Sequence, residues 1–425
     1  MVRNSVGSLV VLSSVSMALV LSVTSAGEAK ENWPQWRGPA MNGVAVGKGY
    51  PVKWSAEENV VWKYKLPGIG ASTPAVWDDK IVLTGESGGM NSVLCLNRAG
   101  KKLWETKLDK ERPAKNRGAS GSNPSPTTDG KHIFAYYKSG TLTCLDMAGE
   151  SVWQKNIQKE YGADTLWWDL GTSPVLTKKH VVVAVMQTGG SYLAAFDKAT
   201  GEVAWKQARE LNAPGESAQS YTTPLVISNG DKELLIVLGA DHVTAHDAAT
   251  GKQIWVAGDL NPSGARNWRS ISSPVISDGF VIAPYARGRS LTAIRLGGKG
   301  DVTKSHVVWE EGPSADVPTP VAAHGKVFVC TDRGSVMVKD IKTGKALAQI
   351  EIPRSRQSIW SSPILADGHL YVTNQNGTTY VLKVGSKLEL VSENKLEDYT
   401  IATPVFVDGR IYIRTDQHLH CIGKK

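Results

Sequence analysis

A hydroxyl residue followed by proline recurs eight times along the chain, at steps of 41 to 52 residues. After most of these dipeptides come two short apolar runs about a polar turn, as in Val275–Ile282. Such runs, rich in β-branched residues and joined by Asp-Gly, are typical of a β-hairpin. A fold built from this chain must therefore repeat one β unit eight times. The dipeptides are Thr73-Pro74, Ser125-Pro126, Ser173-Pro174, Thr223-Pro224, Ser273-Pro274, Thr319-Pro320, Ser362-Pro363 and Thr403-Pro404.

A third run in each unit ends in a second signature, which is complete at Ala195–Trp205 and Ala245–Trp255. Its Asp can accept backbone N–H groups in a turn, and its Gly allows a positive φ. The Trp begins a fourth strand and suits a slot between neighbouring sheets. These docking positions are Trp62, Trp104, Trp153, Trp205, Trp255 and Trp309.

Four strands in each of eight units predict an all-β, eight-bladed β-propeller of antiparallel blades. The last unit stops after its third strand, near Ile422, and an unassigned strand, Val60–Lys63, precedes the first unit. We therefore predict that this N-terminal strand completes the eighth blade and closes the ring.

The pattern Ala-x-Asp-x-x-Thr-Gly-x-x-x-Trp resembles the tryptophan-docking repeat of the pyrroloquinoline quinone (PQQ) propellers, over about residues 55–425. Trp33–Pro39 is similar to the lead-in of exported members. The resemblance implies the fold but not the activity, because the repeat occurs both in PQQ-dependent alcohol dehydrogenases and in the outer-membrane assembly scaffold. The later units depart from the pattern: Ala348 replaces Trp in blade six, and Leu388–Leu390 of blade seven lacks the Thr-Gly turn. We expect those blades to be docked less rigidly.

The N-terminus has the pattern of a secretory signal peptide. Arg3 precedes an apolar, serine-containing stretch from Val6 to Val23, and small residues allow a cut after Ala26. The serines and the lack of a stop-transfer flank argue against a membrane anchor. The predicted organisation is a signal peptide at 1–26, a lead-in at 27–55 and the propeller at 56–425. An exported protein, periplasmic or secreted, is expected.

Composition and cysteine spacing exclude several classes of function. Hydrophobic residues make up 41% of the chain and charged residues 21%, so wholesale disorder is excluded. The formal net charge of +8 comes without a basic stripe, which argues against nucleic-acid binding. No later stretch is apolar enough to span a bilayer, and no cysteine lies near the signal segment to carry a lipid anchor. We expect a monomer.

The four cysteines are dispersed, without the paired spacing of zinc ribbons or thioredoxin-like motifs. Cys95, Cys144 and Cys421 occupy equivalent positions in different blades. They are expected to be buried and too far apart for a disulfide.

Candidate binding residues fall on one face, formed by the loops that enter each first strand and by the hairpins between strands two and three; we call it the loop face. The aromatic residues either pack the channel mouth or anchor a partner. The arginines either bind an anion or are simply solvated. The candidates are Trp168, Asp169, Tyr221, Trp268, Arg269, Arg287, Arg289, Arg333, Arg356, Trp360 and Tyr399. His246, and His418 with His420, lack an evident third ligand, so no metal site is expected.

Two functions remain open. The dehydrogenases that the resemblance brings in carry a vicinal Cys-Cys, long insertions that roof the cofactor, and a calcium ligand set. This chain has no Cys-Cys and only short units, and the nearest candidates for calcium are Trp168-Asp169 and Asp241. We therefore expect a non-catalytic scaffold, without cofactor, that binds a protein or glycan partner. The alternative is an alcohol or sugar dehydrogenase dependent on PQQ and Ca²⁺.

Overall fold

The computed structural model describes residues 1–2, 30–116 and 118–424. The predicted signal peptide and its cut after Ala26 lie outside the described residues, apart from Met1 and Val2. A compact unit begins at Glu31 and contains all the strands and helices given below.

Antiparallel four-stranded sheets follow one another along the chain as eight blades. After β1 (Val60–Lys65), blade one comprises β2 (Ala75–Trp77), β3 (Lys80–Ser87), β4 (Met90–Asn97) and β5 (Lys102–Lys110). Blade two comprises β6 (Thr127–Thr128), β7 (His132–Tyr136), β8 (Thr141–Asp146) and β9 (Ser151–Asn156), followed by α1 (Ile157–Tyr161). Blade three comprises β10 (Val175–Leu176), β11 (His180–Val185), β12 (Tyr192–Asp197) and β13 (Val203–Ala208).

After a 3₁₀ turn at Gly215–Ala218, blade four comprises β14 (Leu225–Asn229), β15 (Lys232–Gly239), β16 (His242–Asp247) and β17 (Gln253–Ala257). Blade five comprises β18 (Val275–Ser277), β19 (Phe280–Tyr285), β20 (Ser290–Arg295) and, after β21 (Gly300–Asp301) and α2 (Thr303–His306), β22 (Val307–Glu311). Blade six comprises β23 (Val321–Ala323), β24 (Lys326–Cys330), β25 (Ser335–Asp340) and β26 (Ala346–Glu351). Blade seven comprises β27 (Ile364–Ala366), β28 (His369–Thr373), β29 (Thr378–Val384) and β30 (Leu388–Lys395).

The eighth blade closes the ring with strands from both ends of the propeller. It consists of β31 (Val405–Val407), β32 (Arg410–Arg414), β33 (His418–Ile422) and β1. β1 lies antiparallel to β33, with Lys65 opposite His418 and Lys63 opposite His420. The predicted fold class and the predicted closure are both confirmed.

The hydroxyl residues of the eight Ser/Thr-Pro dipeptides form a closed ring of hydrogen bonds. The backbone N–H of Thr73 donates to the hydroxyl of Ser125, and each blade repeats this bond to the next, until Thr403 donates to Thr73. The eight N···O distances lie between 2.9 and 3.2 Å. All eight residues are buried, so each bond satisfies an N–H that water cannot reach. The proline that follows has no N–H to leave unpaired at this inner edge. We call this set the hydroxyl ring.

Five of the six docking tryptophans donate their indole N–H to the next blade. The donors are Trp62, Trp104, Trp153, Trp205 and Trp309, at N···O distances of 2.9 to 3.3 Å. The acceptors, in the same order, are the carbonyls of Arg98, Met147, Lys198, Ala248 and Ile341. Each acceptor directly follows the Asp or Asn of the turn signature, so blades one, two and three each carry both halves of the joint.

The glycine of the turn signature lies beneath the tryptophan ring of the preceding blade. Gly201 has a φ of +72°, and a Cβ added there would lie 2.6 Å from Trp153. A Cβ added at the equivalent glycine of each of the other four joints would lie 2.4 to 2.8 Å from the tryptophan ring. The turn therefore needs glycine twice, for its backbone conformation and for contact with the ring.

Trp255 is the exception among the docking residues. It is fully buried, yet no hydrogen-bond partner for its indole N–H occurs within the described part of the chain. Blade five has a longer turn between β20 and β22, and this turn contains the inserted strand β21. β21 pairs in parallel with β17 of blade four, so that Trp255 lies opposite Gly300.

The lead-in fills the position that blade seven leaves open. Ser392 stands where the other blades have the docking residue, opposite Val381. Trp54 of the lead-in stacks on Tyr371 of blade seven, with ring centroids 6.4 Å apart. The Trp54 backbone N–H donates to Asn394 at 2.8 Å. An aromatic side chain distant in sequence therefore replaces the missing docking tryptophan.

The same lead-in crosses the central channel at the end opposite the loop face. Trp33 exchanges two 2.8 Å backbone hydrogen bonds with Val76 of blade one, and Ala45 donates to Leu365 of blade seven at 2.9 Å. Between them, the buried Arg37 guanidinium donates to the carbonyls of Pro320 and, at 2.6 Å, Pro363. Burial lowers the pKa of Arg37 to about 9.

All four cysteines are buried and unpaired, which confirms the expectation for Cys95, Cys144 and Cys421.

The hydroxyl ring generates a first prediction. Ser273→Ala removes the acceptor of the buried Thr223 N–H and is expected to lower the free energy of unfolding by about 1–3 kcal/mol. Ser273→Thr keeps the hydroxyl, in the form that neighbouring blades already use, and should change stability little. Urea unfolding of both variants measures this. Equal losses would show that the hydroxyl does not act as the acceptor.

The glycine beneath each tryptophan generates a second prediction. Gly201→Ala and Gly279→Ala both place a side chain at positive φ, which costs roughly 1–2 kcal/mol. Only Gly201 faces a ring, because nothing lies within 4 Å of a Cβ at Gly279. Overpacking against Trp153 should therefore cost Gly201→Ala about 1–3 kcal/mol more in unfolding free energy. Matching urea midpoints and slopes would contradict the stacked geometry.

Candidate functional site

A cavity of about 370 Å³ occupies the channel on its loop-face side. The hydroxyl ring surrounds it, and Trp36 of the lead-in contributes to its lining from the opposite end. Five of the candidate residues line this cavity: Trp168, Asp169, Tyr221, Arg269 and Trp360. Trp36 was missed as a site residue, because only the fold carries the lead-in into the channel.

Two of the three tryptophans that line this cavity come from the loop face and are partly open to solvent. Trp168 is 44% exposed and Trp360 is 37% exposed. The Trp168 indole N–H donates to Glu216 at 2.6 Å, and the Arg269 guanidinium lies 5.6 Å from the Trp168 ring centre. These contacts hold the Trp168 ring in one orientation while leaving part of it exposed, as a rigid binding anchor requires.

Asp169 is buried and its carboxylate is fully engaged. Lys138 Nζ lies 2.5 Å from Oδ1, the Lys115 N–H donates to Oδ1 at 2.8 Å, and Asn116 donates to Oδ2 twice, at 2.9 and 3.0 Å. Burial opposes ionisation, but these donors hold the pKa of Asp169 below its usual value. The carboxylate anchors the loop at 115–116 and offers no free oxygen for a calcium ion.

Arg269 is likewise neutralised within the protein. Its guanidinium lies 3.4 Å from Glu216 and 3.2 Å from Asp316, and the side chain is buried. Arg287 approaches the same Asp316 at 3.7 Å. Carboxylates from neighbouring loops therefore already pair with these two residues, although Nε and Nη1 of Arg269 have no hydrogen-bond partner among the described residues. Anion binding by the arginine cluster, one of the sequence-based interpretations, stays a prediction.

The remaining candidates do not line the cavity. Arg289, Arg333 and Arg356 are exposed. Trp268 is half-buried, edge-on to Tyr285 at 6.4 Å. Tyr399 donates its hydroxyl to the Gly118 carbonyl at 3.3 Å.

Asp241, the sequence-based candidate for calcium, and the buried His246 are both engaged in protein contacts. Asp241 accepts hydrogen bonds from the hydroxyl of Tyr285 and from Asn261, the latter at 3.2 Å. His246 uses both ring nitrogens, with Gly251 and Thr244 at 2.9 Å. Burial lowers the pKa of His246 to about 4, so the ring is neutral near pH 7.

His418 and His420 do have a third potential ligand, contrary to the sequence-based interpretation. Asp398, from the loop entering blade eight, brings a carboxylate within 4.8 Å of a nitrogen of each ring. The sequence could have predicted this neighbour, because Asp398 lies in the entry loop of blade eight and His418 at the hairpin between its second and third strands. Both segments belong to the loop face. Asp398 also borders a polar cavity of about 480 Å³, whose lining is Gln357, Gln375, Asn376, Thr378, Lys395, Glu397, Asp398 and Tyr399.

In the described residues, no helix has both the length and the apolar character required to traverse a bilayer.

Comparison with known proteins identifies relatives of two kinds. The family model described as outer membrane protein assembly factor BamB matches overlapping segments 42–190, 140–387 and 299–425. No curated protein gives a significant sequence match. The structure of BamB from Moraxella catarrhalis is similar with a TM-score of 0.60 at 15% identity, covering 86% of this chain and 97% of that one.

Quinohemoprotein alcohol dehydrogenase from Comamonas testosteroni is similar with a TM-score of 0.65 at 13% identity, covering 93% of this chain and 81% of that one. A europium-containing methanol dehydrogenase gives 0.64 at 11% identity, with coverage of 90% and 89%. At these identities the structural likeness shows the shared propeller fold and does not distinguish scaffold from enzyme.

Proposed function

Because the chain belongs to the family of outer membrane protein assembly factor BamB, we propose that it is an exported, non-catalytic scaffold that binds a protein partner at its loop face. The observation that carries this proposal is the pair Trp168 and Trp360, both partly exposed at the central cavity. Partly exposed aromatic residues in a concave site are typical anchors for a protein partner.

The charges around the cavity support an apolar contact. Asp169 is paired with Lys138, and Arg269 is paired with Glu216 and Asp316. Because these charges are paired with opposite charges within the protein, the surface that remains for a partner is mainly aromatic rings and hydroxyl groups. An apolar side chain of a bound protein fits such a surface better than an ionic ligand does.

The alternative, a dehydrogenase holding PQQ and Ca²⁺, fits these residues poorly. Calcium takes six to eight oxygen ligands. Asp169 is the carboxylate among the described residues lining the cavity, and both of its oxygens already accept N–H donors. Arg269 is already paired with two carboxylates, which weakens its attraction for an anionic cofactor. The proposal therefore includes no PQQ and no calcium at this site.

Partner binding generates a third prediction. The double variant Trp168→Ala with Trp360→Ala should weaken binding of the protein partner at least tenfold, since paired anchors of this kind commonly contribute about 2 kcal/mol or more. Trp167→Ala is the matched control, because Trp167 is 58% exposed beside Trp168 but does not line the cavity. Quantitative crosslinking of the purified variants to envelope fractions measures the loss.

Both the double variant and Trp167→Ala should melt within a few degrees of the unmodified protein, because the exposed rings contribute little to the core. If the double variant retains full binding while Trp167→Ala loses it, the cavity is not the binding surface. Captured material that resists protease but yields to glycosidase would replace the protein partner with a glycan.

The alternative function generates a fourth prediction. After incubation with PQQ and Ca²⁺ and removal of excess cofactor, the protein should retain no PQQ absorbance and should not reduce an artificial electron acceptor with alcohols or aldoses. Stoichiometric PQQ together with substrate-dependent dye reduction would establish the dehydrogenase instead.

A further inference from the structure

A second group of chemically active side chains lies in blade eight, away from the central cavity. Asp398 comes from the loop that enters the blade, and His418 and His420 come from β33. One ligand atom from each of the three lies within 4.8 Å of the others. His418 Nδ1 is 3.3 Å from Asp398 Oδ2, and the two imidazole centroids are 5.7 Å apart.

The innermost of the three side chains has an unused ligand atom. His420 is 98% buried, with 2% of its surface exposed, and its Nε2 has no hydrogen-bond partner among the described residues. A buried ring nitrogen without a partner is costly, because it has lost water and gained nothing in return. His246 shows the contrast, because both of its nitrogens are hydrogen-bonded. The unpartnered Nε2 of His420 therefore points to a ligand.

Neighbouring groups already orient the carboxylate. The Thr415 hydroxyl donates to Asp398 Oδ2 at 2.6 Å and also lies 3.0 Å from the His418 carbonyl. Metal sites commonly have such outer partners, which fix the direction of a ligating carboxylate. Thr415 thus acts as a positioning residue for both ends of the cluster.

We propose that Asp398, His418 and His420 bind a divalent first-row transition ion, for which zinc is the natural probe. Two imidazoles and one carboxylate form an accepted ligand set for such ions, with water in the remaining position. Bonds of about 2.0–2.1 Å to a tetrahedral ion place ligand atoms about 3.3 Å apart. The Asp398–His418 distance already has this value, and the separations to the His420 ligand atom, at most 4.8 Å, must shorten to complete the set.

The surrounding charges are compatible with a bound cation. Asp416, which follows Thr415, places a second carboxylate near Asp398, while the exposed Lys63 and Lys65 of β1 lie opposite His420 and His418. The ion would link the loop before blade eight to β33, the strand that pairs with β1. It would therefore brace the blade in which the two ends of the propeller meet.

Zinc binding to the full-length mature protein tests the site. We expect one Zn²⁺ per chain by equilibrium dialysis, and an intense visible spectrum with Co²⁺ that indicates tetrahedral coordination. Asp398→Asn and His418→Gln should each weaken binding by tenfold or more. Thr415→Val should weaken it by about 10–100-fold, the usual effect of losing an outer partner.

His369→Asn is the matched control, because His369 lies on β28 outside the cluster and should leave zinc affinity unchanged. The partly buried positions Asp398 and His418 are preferred to the buried His420, whose replacement could unfold the blade. Circular dichroism and urea unfolding verify that each variant is folded. A folded wild-type protein that binds no zinc, or binding that survives Asp398→Asn and His418→Gln together, would overturn the proposal.

Discussion

The hydroxyl ring is the interaction on which the rest of the structure depends. Each blade receives one N–H from its neighbour on a single hydroxyl oxygen, and the series returns to its start at Thr73. Inner strands of a propeller converge too closely for large side chains, so a short polar group is suited to this position. The bond orients every first strand, and the direction of that strand fixes where its entry loop and hairpin emerge. The loop face is a consequence of this inner geometry.

The outer part of each joint uses a different interaction, a tryptophan ring resting on a glycine turn. Inner and outer contacts together determine the angle between blades, because one is a directional hydrogen bond and the other a broad apolar contact. Where blade seven lacks its tryptophan, Trp54 of the lead-in contributes an equivalent ring beside Tyr371. The lead-in also crosses the channel, so it belongs to the core of the propeller.

Pairing of charges decides the chemistry of the central cavity. Asp169 and Arg269 look in sequence like ligands for a cation and an anion. Burial makes an unpaired charge very costly, so each is found with an opposite charge from another loop. The partly exposed rings of Trp168 and Trp360 are left as the accessible groups. In blade eight the balance is different, because His420 is buried without a partner for Nε2.

The repeat by itself determined the blade number, the antiparallel strands, the docking tryptophans and the closing strand, because these depend on local patterns that recur at fixed spacing. The tertiary structure alone decided which side chains meet across blades. Trp36 enters a cavity whose other lining residues run from Ala71 to Thr403, and the Asp316 that pairs with Arg269 lies 47 positions along the chain. Asp398 and His418 are only 20 positions apart, but a strand and a hairpin must fold between them before they touch. Local spacing predicts an element, whereas a charge pair or a ligand set forms only when the ring has closed and its loops converge on one face.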